Sequence, residues 1–227
     1  MIKLYEVGGH VRDSILGLQS KDIDYAVEAP SFQDMLDWVT STHRNVFLVT
    51  PEFFTVRAQA QDGKVRDYVL CRKDGLYKDG RHPENVEKGT IFDDLARRDF
   101  TINAMALDEK GQLLDPYNGK QDLHARILRC VGSPKERFAE DSLRILRAIR
   151  FATRFYMTLD LDLEVQLRSI YWAKSISLLP ADRIREELCK SFATDTGKTL
   201  EYLSILHPCT RDELWKKVWL KPTTEGK

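Results

Sequence analysis

Alternating apolar and polar positions over Lys3 to Val7 predict a short β-strand, which Gly8 and Gly9 turn into a helix running from Val11 to near Gly17. A second strand is predicted over Asp22 to Glu28. Ser31 is placed to cap a helix in which Phe32, Met35, Leu36 and Val39 recur at helical spacing, and Val46 to Val49 reads as a further strand. Thr55 to Gln61 and Lys64 to Cys71 alternate on either side of Asp62-Gly63, a strong hairpin signal. These elements fit one sheet backed by helices. From Arg72 to Thr90 the pattern gives way to polar, glycine-rich sequence that reads as a long mobile loop. Beyond about residue 91 the periodicity becomes helical, first over Leu95 to Leu107, then, after a turn at Asp115 to Gly119, over Glu140 to Ala152. In this last segment Leu143, Ile145, Leu146 and Ile149 interleave with arginines at 144, 147, 150 and, just beyond it, 154. Later helices are predicted over Leu163 to Ala173 and Ala181 to Phe192, and Thr210 with Glu213 forms a capping box for a last short helix through Trp219.

A chain of 227 residues with 42% hydrophobic content can fill the cores of one or two domains. The net charge is zero, but residues 1–110 carry 15 Lys+Arg against 19 Asp+Glu (−4) and residues 111–227 carry 20 against 16 (+4). A phosphate-binding surface is therefore expected mostly on the C-terminal half. Cys71, Cys130, Cys189 and Cys209 lie far apart, with no histidine at zinc-ligand spacing, so reduced thiols in the cytoplasm are the simplest reading. The N-terminus runs straight into the glycine turn without an apolar signal region, and no run of about 18 apolar residues offers a membrane span.

The chemistry concentrates in Gly8-Gly9-His10-Val11-Arg12-Asp13, followed by Gly17 and Asp22-Ile23-Asp24. On a strand, Asp22 and Asp24 project to one side with Ile23 turned into the core, and two oxygen ligands on a rigid edge suit Mg²⁺. An isolated pair of this kind is ordinarily just solvated, and the glycine turn ahead of it changes the reading. On the second hairpin strand, alternation sets Asp67 among Val65, Val69 and Cys71 on one face. Three carboxylates on one sheet edge could hold two Mg²⁺ ions and help deprotonate an attacking hydroxyl.

Taken in order, the motifs resemble those of the class II tRNA nucleotidyltransferases (CCA-adding enzymes) and bacterial poly(A) polymerases, within the polymerase-β-like nucleotidyltransferase superfamily. The match comprises G-G-x-V-R-D with D-x-D at Gly8 to Asp24, the acidic strand at Asp67, R-R-D-F-T-I-N at Arg97 to Asn103, E-D-x-x-R-x-x-R at Glu140 to Arg147, and Asp182 to Leu188. The resemblance implies an α+β fold: a nucleotidyltransferase head with a mixed sheet backed by helices over residues 1–125, an all-α neck over 126–192, and a short remnant of a helical body over 193–227 without a tail domain. It implies addition of C, C and A from CTP and ATP to the 3′ end of tRNA, with Mg²⁺ held by Asp22 and Asp24 and with Asp67 as the third acid. Gly8, Gly9 and Arg12 would receive the triphosphate, and Arg97, Arg98, Asp99 and Asn103 would handle the ribose and phosphates. Glu140, Asp141, Arg144 and Arg147 would select the base. That last role has independent physical support, because cytosine and adenine both present an amino donor beside a ring-nitrogen acceptor, whereas uracil and guanine present a carbonyl beside an N–H. A carboxylate and a guanidinium three apart on one helical face, as expected for Asp141 and Arg144, accept the former and reject the latter. The rival readings are a poly(A) polymerase or A-adding enzyme, and a catalytically silent RNA-binding module of the same fold.

Overall fold

The computed structural model describes residues 1–19, 23–75 and 86–218. The chain divides between Gly132 and Ser133 into two compact units, a sheet-bearing head and a helical unit.

The head begins with β1 (Lys3–Val7), α1 (Gly9–Ile15) and β2 (Asp24–Glu28). It continues through α2 (Phe32–Thr42), β3 (Asn45–Thr50), β4 (Thr55–Gln59) and β5 (Val65–Leu70). The ribbon strands β6 (Arg72–Asp74) and β7 (Val86–Lys88) follow, then α3 (Ile91–Ala96), β8 (Ala106–Asp108), β9 (Leu113–Leu114) and α4 (Gly119–Ala125). Seven strands form one sheet in the order β3-β4-β5-β2-β1-β8-β9. β2 and β5 run parallel while the other ladders are antiparallel, so the sheet is mixed. Strand alternation gives the sheet two apolar faces. Val27, Val56, Ala58, Tyr68 and Leu70 meet Met35 and Val39 of α2 on one, and Tyr5, Val7, Ala26 and Ala106 meet Ile91 and Leu95 of α3 on the other. The α2 helix starts as expected, with the Ser31 side chain accepting from the Asp34 N–H at 3.1 Å.

The sequence pattern departs from the structure in specific places. β2 begins at Asp24, two residues later than expected; Asp22 lies outside the described residues. The ends of the segment read as one long loop pair instead as the β6–β7 ribbon, Arg72 opposite Lys88, and residues 76–85 lie outside the described residues. The segment Leu95 to Leu107 is not a helix. α3 ends at Ala96, a single 3-10 turn covers Thr101–Asn103, and β8 follows. The Asp99 side chain accepts from the Phe100 N–H at 2.9 Å, a local bond that competes with helix continuation. The turn also docks α4 so closely that a Cβ on Gly119 would lie 2.1 Å from the Thr101 carbonyl oxygen.

The helical unit contains α5 (Pro134–Glu140), α6 (Leu143–Phe155), α7 (Leu161–Leu167), α8 (Ala173–Leu178), α9 (Ala181–Phe192), α10 (Thr196–Ile205) and α11 (Pro208–Lys217). Its core brings Phe138 edge-on against Trp172 and buries Ile145, Leu146, Ile149, Ile184, Leu188 and Leu203. The single helix expected over Glu140 to Ala152 is broken. Glu140 ends α5, Asp141 is extended (φ −148), and the Asp141 carboxylate accepts from the Leu143 N–H at 2.9 Å as α6 begins. A short aspartate side chain bonding the backbone two residues on favours such an elbow over a continuous helix. The segment Leu163 to Ala173 likewise divides between α7 and a 3-10 turn at Ile170–Trp172. The capping box at Thr210 is not formed: α11 starts earlier, at Pro208, with the His207 ring accepting from the Cys209 N–H, and Thr210 is buried inside it. No helix among the described residues is long and apolar enough to cross a membrane, and no disulfide joins the four cysteines.

Candidate active site

The site in the head is built on the turn between β1 and α1. Gly8 has φ +71, a conformation that costs glycine least. Its hydrogen face is also occupied: a Cβ at Gly8 would sit 3.0 Å from Arg98 Nη1, and one at Gly9 would sit 3.4 Å from Arg12 Nη2. The two glycines thus let two guanidiniums close in on the turn, one from α1 and one from the end of α3.

These arginines are held by a buried network that crosses the head. Arg12 donates to Asp13 through Nε (2.8 Å) and to the Asn103 side-chain oxygen through Nη1 (2.6 Å). Asn103 in turn donates to Asp99 at 3.0 Å, and its backbone carbonyl accepts from Arg98 Nη1 at 3.3 Å. Asp94 receives Arg97 at 2.5 Å and Arg98 at 3.0 Å. Burial by itself would raise the Asp94 carboxyl, but the two guanidiniums outweigh it and hold it below the usual carboxylate range. Arg97 also lies 3.6 Å from Asp74 at the end of β6. Gly8, Gly9 and Arg12 from one stretch of chain are therefore brought together with Arg97, Arg98, Asp99 and Asn103 from another.

Asp24 and Asp67 are direct partners across the parallel β2–β5 ladder, so their side chains leave the same face of the sheet. Asp24 is exposed and Asp67 half-buried. The expected apolar setting for Asp67 is looser than alternation suggests, since Val65 is 46% exposed and only Cys71 is fully buried. Among the described residues no three metal-ligating side chains cluster. The pair nevertheless offers only carboxylate oxygens, the hard donors that suit a cation such as Mg²⁺.

In the helical unit, Glu140, Asp141, Arg144 and Arg147 gather at the α5–α6 elbow and the first turns of α6. Arg144 donates to Glu140 at 2.5 Å and to the Arg137 carbonyl at 3.2 Å, and Glu140 also pairs with Arg137. The Arg147 guanidinium lies 5.4 Å from the Phe151 ring centroid. Asp141 and Arg144 do not share a helical face as the spacing implied, because Asp141 precedes the helix.

Two structural partners were not singled out from the sequence. Arg57 grips Asp67 through both carboxylate oxygens, and Asp94 anchors Arg97 and Arg98. The Asp94 link was legible as i,i+3 and i,i+4 spacing, although Arg97 and Arg98 lie just past the end of α3. The Arg57 link was not legible from Asp62-Gly63 read as a two-residue turn, which would pair Ala58 with Asp67; the turn spans Gln61 to Gly63, and that one-residue shift puts Arg57 opposite Asp67.

A glycine turn flanked by guanidiniums, set beside in-register carboxylates on a mixed sheet, is the architecture of a nucleotidyltransferase head. Residues 4–129 match the Poly A polymerase head domain, and the chain belongs to that family. It is 38% identical over 201 residues to a CCA-adding enzyme of Oceanobacillus iheyensis, an alignment covering 88% of this chain and 48% of the relative. Among solved structures, it is similar to the Bacillus stearothermophilus CCA-adding enzyme in complex with CTP, with TM-score 0.78 and 30% identity over 90% of this chain and 48% of that one. It is also similar to the Thermotoga maritima CCA-adding enzyme complexed with tRNA, with TM-score 0.77 and 28% identity over 97% of this chain and 50% of that one. The chain spans about half the length of the curated relatives it matches.

Proposed function

We propose that the protein adds C, C and A to the 3′ end of tRNA, using CTP and ATP without a nucleic-acid template and releasing pyrophosphate. The observation that carries this reading is the approach of Arg98 and Arg12 to the Gly8–Gly9 turn, which concentrates positive charge where a triphosphate would meet the turn. Arg97 would add charge, while Asp99 and Asn103 would hold the ribose side of the nucleotide and keep Arg12 and Arg98 in place. Asp22, Asp24 and Asp67 are the proposed catalytic carboxylates, with Asp22 and Asp24 as ligands of Mg²⁺. When bound, the ion would neutralise charge on the α-phosphate and lower the pKa of the primer hydroxyl. Asp67 would orient that hydroxyl for in-line attack. Glu140, Asp141, Arg144 and Arg147 would select C and A by their amino-donor and ring-acceptor edge. The relatives' association with tRNA and CTP supports these partners, and the cytoplasm is the compartment proposed.

The match to a family described by poly(A) polymerase favours one rival product, repeated A addition. Transcripts of tRNA lacking one, two or three terminal nucleotides separate the two readings when each is incubated with single nucleoside triphosphates. Addition that stops after C, C and A is expected, and unlimited A addition to arbitrary RNA would overturn the proposal. Asp24→Asn should lower incorporation by about 10³-fold without loss of fold.

A further inference from the structure

Asp67 lies between two direct partners. On β2 its partner is Asp24, and on β4 it is Arg57. Direct partners across a ladder project to the same face, so Asp24, Asp67 and Arg57 form a row across three strands. The guanidinium takes both Asp67 oxygens, Nε to Oδ1 at 2.6 Å and Nη2 to Oδ2 at 2.7 Å. Arg57 belongs to none of the motifs that mark this family.

Two consequences follow from that fork. A bidentate guanidinium fixes the plane of the carboxylate it grips, which a lysine ammonium does not. Each carboxylate oxygen has a second lone pair, so Asp67 keeps the capacity to bind a cation or accept a hydroxyl. The fork also sets a full positive charge in direct contact with the Asp67 carboxylate and on the strand next but one to Asp24. That charge opposes the approach of a second cation.

We propose that Arg57 is a positioning residue that fixes Asp67 beside Asp24 and holds down the affinity of this carboxylate row for a divalent cation, so that the ion binds firmly only together with a triphosphate. The inference rests on the assignment of Asp24 and Asp67 to the transfer centre. It gives Arg57 two separable jobs, one of charge and one of geometry.

Mn²⁺ titration of the full chain without nucleotide, followed by the electron paramagnetic resonance signal of unbound Mn²⁺, reads the first job. Initial rates with CTP and a primer tRNA read the second. Arg57→Ala should bind Mn²⁺ roughly three- to tenfold more tightly than the unsubstituted protein. Its turnover should nonetheless fall by at least about tenfold. Arg57→Lys keeps the charge and loses the fork, so it should keep the original Mn²⁺ affinity and share the loss of turnover. A merely structural arginine would not produce tighter metal binding. Unchanged or weaker Mn²⁺ binding by Arg57→Ala overturns the proposal, as does full turnover in Arg57→Lys. Asp24→Asn tells the two levels apart: if it leaves Mn²⁺ affinity unaltered, the metal reading of the row fails, and if it weakens binding while Arg57→Ala does not tighten it, only the role of Arg57 fails.

Discussion

In the head, the residues around the glycine turn are held by partners far away along the chain, Arg12 reaching Asn103 across 91 positions. In the helical unit, the corresponding cluster is local: Arg144 reaches Glu140 four residues back and the Arg137 carbonyl seven back, and Asp141 caps the Leu143 N–H. The head network is also drier, with Arg12 4% exposed and Asp13 and Asn103 each 6%. A buried, long-range network forms only when the whole sheet has folded, so fold and site stand or fall together there. A local elbow needs only its two helices, which leaves its side chains open to change without loss of the unit.

The largest test of that difference is Arg12→Ala. Removing one member of a buried charged network takes the guanidinium from beside the Asp13 carboxylate and from the Asn103 oxygen, at a cost of about 3–5 kcal/mol. For a chain of this size the melting temperature should fall by roughly 6–20 °C, measured by scanning calorimetry. Arg144→Ala, which breaks a local and partly exposed set of bonds, should cost about 1 kcal/mol or less. Equal losses in the two variants would remove the distinction between the units.

The same distinction governs what was legible from the residues alone. The strands, the Ser31 cap and the hairpin at Asp62-Gly63 are local patterns, and each forms close to where alternation puts it. The turn through Arg97–Asn103 has helical apolar spacing, while the bonds that bend it run to Arg12 and to Asp99's own backbone neighbour. The elbow at Asp141 is hidden for a different reason: Leu143, Leu146 and Ile149 keep one periodicity, and nothing in that periodicity records an aspartate capping the backbone ahead of it. The ladder that makes Asp24 and Asp67 neighbours is a parallel pairing between distant strands, which alternation does not specify. That both belong to one sheet was nevertheless expected from the order of the elements.

Substitutions at the elbow give an intermediate effect and test its proposed role. Asp141→Ala removes a cap, at about 1 kcal/mol of stability. Asp141→Ala and Arg144→Ala should each relax the preference for CTP over UTP by about tenfold, the worth of one or two hydrogen bonds to the base edge. The measurement is kcat/KM for each nucleotide on a primer tRNA awaiting its first C. Selectivity that stays intact in both variants, with transfer still measurable, would show that base choice lies elsewhere.

The smallest expected effect is a mild acid lability of the head, traced to His43 at the end of α2. Its ring is half-buried, with Nε2 2.6 Å from the Tyr68 hydroxyl and Nδ1 3.1 Å from the Val39 carbonyl. Burial pushes the His43 pKa below its ordinary value, and the Val39 carbonyl only partly offsets this. The folded head then binds fewer protons at this site than the unfolded chain does. Its contribution is present above the ordinary histidine value of about 6.5 and is lost as pH falls from there through the lower folded value. Asp94, whose carboxyl is held below the carboxylate range, keeps its charge throughout that window and loses its contribution only in stronger acid. The melting temperature should therefore decline between pH 7.5 and 5.5, and His43→Gln, which cannot take up a proton, should flatten the decline. An identical pH slope in the substituted protein would move the acid sensitivity away from His43, while a steep loss confined to pH below about 4 would assign it to the carboxylates of the Arg97 and Arg98 network.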